Sequence, residues 1–216
     1  MPLAIAADDS TATGHMTKGR LEAFTDGVIA ILITILVLEL RAPHGATFEA
    51  LAPLAPTVVS YILSFIYLAI YWNNHHHLMH AVRHVDGRVL WANVHLLFWL
   101  SLVPFATGWM GDNHFAPLPV ALYGALLFMA AVGFTILVRA LIARHGPDSP
   151  LARAVGADRK GWASLAMYAS AVPLAFVSRW IALGIYVAVA IIWLVPDTRI
   201  ERILIDESAS PEHADA

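Results

Sequence analysis

The segment Arg20-Leu-Glu-Ala-Phe-Thr-Asp-Gly-Val-Ile-Ala-Ile-Leu-Ile-Thr-Ile-Leu-Val-Leu-Glu39 opens on polar side chains and then runs without a charge until Glu39. An apolar run of this length spans a bilayer as a helix, because in lipid every backbone N–H and C=O has to be bonded within the segment. Ionisable groups at the mouth of such a helix are costly unless they are buried in protein or face water. Arg20, Glu22, Thr25 and Asp26 therefore read together as a site.

Composition extends this reading to the whole chain. Hydrophobic residues are 59% of the 216 and charged ones 13%, about half the usual share of a globular protein. Seven Trp add anchors for the membrane–water interface. The class is an all-α integral membrane protein, with room for six spans of about 20 residues and none for a further soluble domain. A net charge of −3 with dispersed basic residues gives no nucleic-acid surface. Cysteine is absent, which excludes disulfides, thiolate catalysis and Cys-ligated metals. Residues 1–17 read as a disordered polar leader with no basic region before an apolar core, leaving the first span to target the chain. Residues 18–198 read as one transmembrane domain, and 199–216 as a cytoplasmic tail of disordered composition.

Six apolar runs fall at roughly Arg20 to Leu40, Pro56 to His77, Val89 to Gly111, Pro117 to Ala143, Gly161 to Val177 and Arg179 to Val195. Turn-forming stretches separate them: Arg41-Ala-Pro-His-Gly45, His84-Val-Asp-Gly87, Gly111-Asp-Asn-His114 and Arg144-His-Gly-Pro-Asp-Ser-Pro150. The last two runs meet at Ser178-Arg179-Trp180, where Pro173 and Arg179 favour a tight hairpin over one long helix. With the N-terminus inside, all of the 13 Lys and Arg except Arg41 and Arg179 lie on the inner side, Arg199 and Arg202 included. The positive-inside rule then gives six spans with both termini cytoplasmic.

Around the first helix, at about 100° per residue, Phe24, Ile31, Ile35 and Leu38 share one stripe with Thr34 at its edge. Thr25 and Asp26 fall on the opposite side, and Gly27 offers a place for close backbone approach. An Ile/Leu stripe also fits ordinary packing against lipid, and a Thr hydroxyl ordinary helix contact. A buried Asp, however, needs partners. Trp72, His76 and Asn93, near the polar ends of the second and third runs, are read as a clamp on Thr25 and Asp26, with His76 or Asn93 reaching the Asp26 carboxylate. His75, His76, His77, His80 and His84 include the i, i+4 pair His76 and His80, a spacing that permits two metal ligands. Only Asp26 and His95 come into view as further ligands, so no metal residue is assigned. Nucleophile motifs, phosphate-binding loops and paired carboxylates are not visible, and the chain does not read as an enzyme.

The stretch Arg20-x-x-x-Phe24-Thr25-Asp26-Gly27-Val28, followed by Ala30-Ile31-x-x-Thr34-x-Leu36-Val37-Leu38-Glu39, closely resembles the Arg-x-x-x-Phe-Ser-Asp signature of the endosomal/lysosomal potassium channel family, transmembrane protein 175, in its prokaryotic branch. Trp72-x-x-His75-His76, Trp91-x-Asn93 and Leu102-Val-Pro104-Phe105-x-Thr107 look like the family's second and third spans. The similarity is specific in the first three helices and merely hydrophobic in the last three. Thr25 stands where the family usually has Ser, and the hydroxyl is kept.

The resemblance implies a homotetramer in a prokaryotic cell membrane, conducting K+ without a cofactor through a central pore lined by four copies of the first helix. Ile31, Ile35 and Leu38 would form apolar rings and Thr34 a ring of hydroxyls, with modest selectivity set by pore width and dipoles. Arg20, Phe24, Thr25, Asp26 and Gly27 would be the structural motif supporting that helix. The alternative is a His-dependent secondary transporter or metal-binding membrane protein, in which His76 and His95 converge on an ion. A non-conducting membrane scaffold is a third reading.

Overall fold

A computed structural model describes residues 17–194; the leader up to residue 16 and the tail at 199–216, with Arg199 and Arg202, lie outside the described residues. Among the described residues all regular structure is helical: α1 (Lys18–Leu38), α2 (Phe48–Leu51) with a 3-10 turn (Ala52–Leu54), α3 (Ala55–His80), α4 (Gly87–Ser101), α5 (Val103–Asp112), α6 (Pro117–His145), α7 (Pro150–Val155), α8 (Arg159–Val177) and α9 (Arg179–Leu194).

Among the described residues, four stretches are long and apolar enough to cross a membrane: α1, Phe48–His80, Gly87–Asp112 and α6. The remaining two expected runs form α8 and α9. Arg159 and Lys160 begin α8 and polar Ser164, Tyr168 and Ser170 follow, which dilutes its apolar character. The described part of α9 is apolar but has only 16 residues, about 24 Å of helix against a hydrocarbon core of about 30 Å.

Local chemistry sets the helix starts. Thr17 caps α1 through its hydroxyl, and the Asp86 carboxylate accepts from Arg88 N and Val89 N, both at 3.0 Å, to open α4. The third expected run is continuous in hydropathy, yet the helix breaks at Leu102. Pro104 has no N–H to give to the carbonyl of Leu100, and the chain restarts as α5 with Pro104 in its first turn. Pro173, by contrast, sits inside an unbroken α8. The turn comes instead at Ser178, which is extended (φ −155°, ψ 109°) between α8 and α9.

α1 packs on α3, α4 and α5; α6 lies between α4 and α8; α9 closes against α8 and α6. Glycines permit the closest approaches. A Cβ at Gly111 of α5 would come within 2.7 Å of the Thr57 Cα on α3, and one at Gly133 of α6 within 3.1 Å of the Leu96 Cα on α4. The centre is a polar network of buried side chains rather than a purely aliphatic core. The Ser64 hydroxyl lies 2.6 Å from that of Thr107 and donates to the Tyr123 hydroxyl at 3.0 Å. Tyr168 donates to the Tyr67 hydroxyl at 3.1 Å, Tyr67 to the Tyr186 carbonyl at 2.6 Å, and Tyr186 to the Val120 carbonyl at 3.1 Å. These bonds tie α3, α5, α6, α8 and α9 together where lipid offers no partner.

Candidate functional site: the polar mouth and outer stripe of the first helix

The two faces of α1 have opposite fates. Leu21, Thr25, Ile29, Leu32 and Leu36, at steps of three and four, are buried against the rest of the subunit. Phe24, Ile31, Ile35 and Leu38 stand outside it, Ile31 59% and Leu38 73% exposed. Thr34 lies on the same outer face, and its hydroxyl donates to the Ile31 carbonyl at 2.8 Å. With its proton committed inward, the Thr34 oxygen keeps lone pairs for whatever meets this face.

At the polar end, adjacent residues reach different helices because one residue is about 100° of rotation. Thr25 is fully buried; its hydroxyl donates to the Leu21 carbonyl at 3.0 Å and accepts from Asn93 Nδ2 of α4 at 2.8 Å. Asn93 Oδ1 in turn meets His75 Nε2 of α3 at 3.0 Å. If Asn93 Oδ1 accepts, Nε2 carries the ring proton and Nδ1 is the lone-pair nitrogen. His75 Nδ1 is buried with no hydrogen-bond partner.

Asp26 turns toward α3, where Trp72 Nε1 donates to Oδ1 at 3.0 Å. Asp26 therefore does not take His76 or Asn93, the partners expected from sequence. Asn93 is drawn to Thr25 on the adjoining face. His76 lies one turn beyond Trp72, so on the antiparallel α1 it reaches one turn back from Asp26, to Glu22, with Nδ1 3.4 Å from Oε1. The Trp72 and His76 rings stack at 5.9 Å with a 21° interplanar angle. His95 points elsewhere, accepting from Trp99 Nε1 on its own helix at 3.2 Å.

Arg20 is exposed at the start of α1. Gly27 is also exposed, and a Cβ built there meets nothing within 4 Å, so the close approach expected at Gly27 is not made within the subunit. Sequence reasoning names two further participants, His75 and Glu22, without assigning either a partner in the clamp. His75 is the inward member of a His triplet, on the stripe of Leu68, Tyr71, Leu78 and Met79, and that periodicity could have singled it out. Glu22, read with Arg20, Thr25 and Asp26 as part of the site at the helix mouth, has its own partner in His76, one turn from Asp26.

The fold and site define a class of all-helical integral membrane protein in which a polar-ended first helix is pinned to the second and third spans. Residues 20–104 match the family described as "Endosomal/lysosomal potassium channel TMEM175". A potassium channel of Chryseobacterium sp. (strain P1-3) is 52% identical over 189 residues, covering 88% of this chain and 98% of the relative. The endosomal/lysosomal proton channel TMEM175 of Gallus gallus is 28% identical over 171 residues, covering 71% of this chain but only 34% of that protein. Among solved structures, the crystal structure of a lysosomal potassium-selective channel TMEM175 homolog from Chamaesiphon minutus superposes with a TM-score of 0.71 at 28% identity, covering 82% of this chain and 96% of that one. The chain belongs to the TMEM175 potassium channel family.

Proposed function

We propose that this protein is a potassium-conducting channel of a prokaryotic cell membrane, assembled as a homotetramer with four copies of α1 around the pore. The observation that carries the reading is the outer stripe of α1. Of the four helices long and apolar enough to cross a membrane among the described residues, α1 is the least buried within the subunit, at 28%, and its exposed face holds Ile31, Ile35 and Leu38 with Thr34 at the edge of their stripe. Lipid could cover such a stripe as well; the likeness to relatives named as potassium channels favours a conducting path along it. Identical faces meeting on an axis would make stacked apolar rings able to gate by dewetting, with four Thr34 oxygens presenting lone pairs to a partly dehydrated cation. The residues bonded at the polar mouth support the helix from behind, away from the axis.

A six-span subunit with both termini inside is part of the same reading. It is supported by contacts that group loops at two ends. At one end His145 Nε2 accepts from Arg83 N and His84 N, both at 3.3 Å, and Arg144 lies 3.8 Å from Asp86. At the other, Arg179 donates to the His114 carbonyl at 3.4 Å. The first group joins loops that the basic-residue bias assigns inside, and the second joins loops it assigns outside. The transporter reading needs His76 and His95 to converge on an ion, whereas His95 is engaged by Trp99.

Reversal potentials of reconstituted protein under biionic potassium/sodium conditions test the proposal. Thr34→Ala is expected to reduce the preference for potassium, and Ile31→Asn to raise conductance by wetting the constriction. If both variants conduct as the wild type does, α1 is not in the permeation path.

A further inference from the structure

We propose that Glu22, His76 and His80 form a binding site for a zinc-class divalent transition metal that links the polar end of α1 to the end of α3. Each residue offers one ligand atom, and the three atoms lie within 4.8 Å of one another. His76 Nδ1 and Glu22 Oε1 are 3.4 Å apart. A tetrahedral zinc with ligands at about 2.0–2.1 Å has ligand-to-ligand edges of roughly 3.4 Å, so this pair already spans one edge of the required polyhedron. His76 and His80 are one turn apart on the same face of α3, with ring centroids at 4.3 Å and planes at 75°. The third ligand needs only a side-chain adjustment at an exposed position.

Donor chemistry selects the metal class. Two imidazole nitrogens and one carboxylate suit Zn2+, Co2+ or Ni2+, whereas Mg2+ and Ca2+ prefer all-oxygen shells. Three protein ligands leave a fourth position for water. Glu22 and His76 are half-buried and His80 is exposed, so solvent ions can enter and leave. The site is therefore suited to reversible occupancy rather than to a closed structural centre. The His76 ring is braced from behind by Trp72, whose indole is itself held by Asp26, and this fixes the ligand's plane before metal arrives. Metal here would staple α1 to α3 one turn from Asp26.

The inference does not rest on the conduction reading, since currents in metal-free buffer test that reading alone. The test uses the full-length protein in detergent, with Co2+ as an optical probe and Zn2+ as competitor. The wild type is expected to bind one Co2+ per chain with the intense visible absorption of four-coordinate cobalt, displaced by zinc, and to melt at a higher temperature with zinc present. Glu22→Gln is expected to weaken binding at least tenfold, and His76→Ala and His80→Ala to abolish both the absorption and the melting shift. His84→Ala should change neither. Because His80 is exposed, the metal-free His80→Ala protein should melt as the wild type does, which separates loss of a ligand from loss of fold. Cobalt binding that persists in both Glu22→Gln and His80→Ala, or that is lost in His84→Ala, would overturn the site.

Discussion

At the residue scale, what holds the mouth of α1 is a division of labour between neighbouring side chains. Asn93 serves two partners at once, so Asn93→Ala leaves both the Thr25 hydroxyl and His75 Nε2 short of a bond in a buried setting. Leaving buried polar groups unpaired costs about 1–3 kcal/mol. Trp72→Phe removes only the indole donor to Asp26, and a single interhelical hydrogen bond in a membrane averages about 0.6 kcal/mol. Melting of the solubilised protein should therefore fall more for Asn93→Ala than for Trp72→Phe, with reversal potential unchanged in both; the opposite ranking would move the anchor to Asp26. Sequence reasoning finds Trp72, Asn93, Thr25 and Asp26 because buried polar groups must pair, and their positions at the polar ends of apolar runs flag them. It misjudged who pairs with whom. Partner choice turns on 100° of helix rotation and on the register of α3 against α1, and register is a property of packing that a single sequence does not carry.

At the scale of elements, glycine spacing and capping decide how closely the helices sit. Gly111→Ala would drive a methyl toward the backbone of Thr57, which cannot yield as a flexible side chain could, and overpacking of this kind costs about 1–3 kcal/mol. Gly184→Ala on α9 meets nothing within 4 Å and should melt as the wild type does. The start of α8 offers a pH-linked case. Asp158 adopts a left-handed conformation (φ 43°, ψ 47°) and accepts from Gly161 N at 3.1 Å. Burial raises its carboxyl above the usual carboxylate range, against the opposing pull of the Gly161 N–H and of Arg139. A folded pKa above the unfolded one makes this contribution largest below the unfolded value of about 3.9; it is lost as pH rises through the folded value. Asp158→Asn keeps the cap and tolerates the backbone, so it should flatten that slope; an unchanged pH profile of melting would deny Asp158 the role. Helix existence was legible because apolar runs bounded by turn residues leave few alternatives in lipid. The break at Leu102 was not, since hydropathy is continuous across it, and neither was the tyrosine network, whose members are separated by up to 119 positions between Tyr67 and Tyr186.

At the scale of the whole molecule, one subunit leaves an apolar stripe on its first helix that something must cover, and lipid and a symmetry axis make different demands of it. Lipid is indifferent to Thr34 and to the alignment of Ile31, Ile35 and Leu38, whereas a pore needs water to reach those positions when it conducts. The chain contains no cysteine, so a single introduced thiol reports without background. In the proposed tetramer, Thr34→Cys and Leu38→Cys channels should lose current when a charged, membrane-impermeant thiol reagent is applied during conduction, because their side chains meet the aqueous path. Leu32→Cys, whose parent side chain is 5% exposed against its own subunit, and Ile181→Cys, 51% exposed on α9, should conduct unchanged. The pairing of the two controls separates depth from access: one is buried in protein, the other exposed on a different helix. Loss of current at Ile181→Cys with none at Leu38→Cys would place α9 at the axis and leave the stripe of α1 to the lipid.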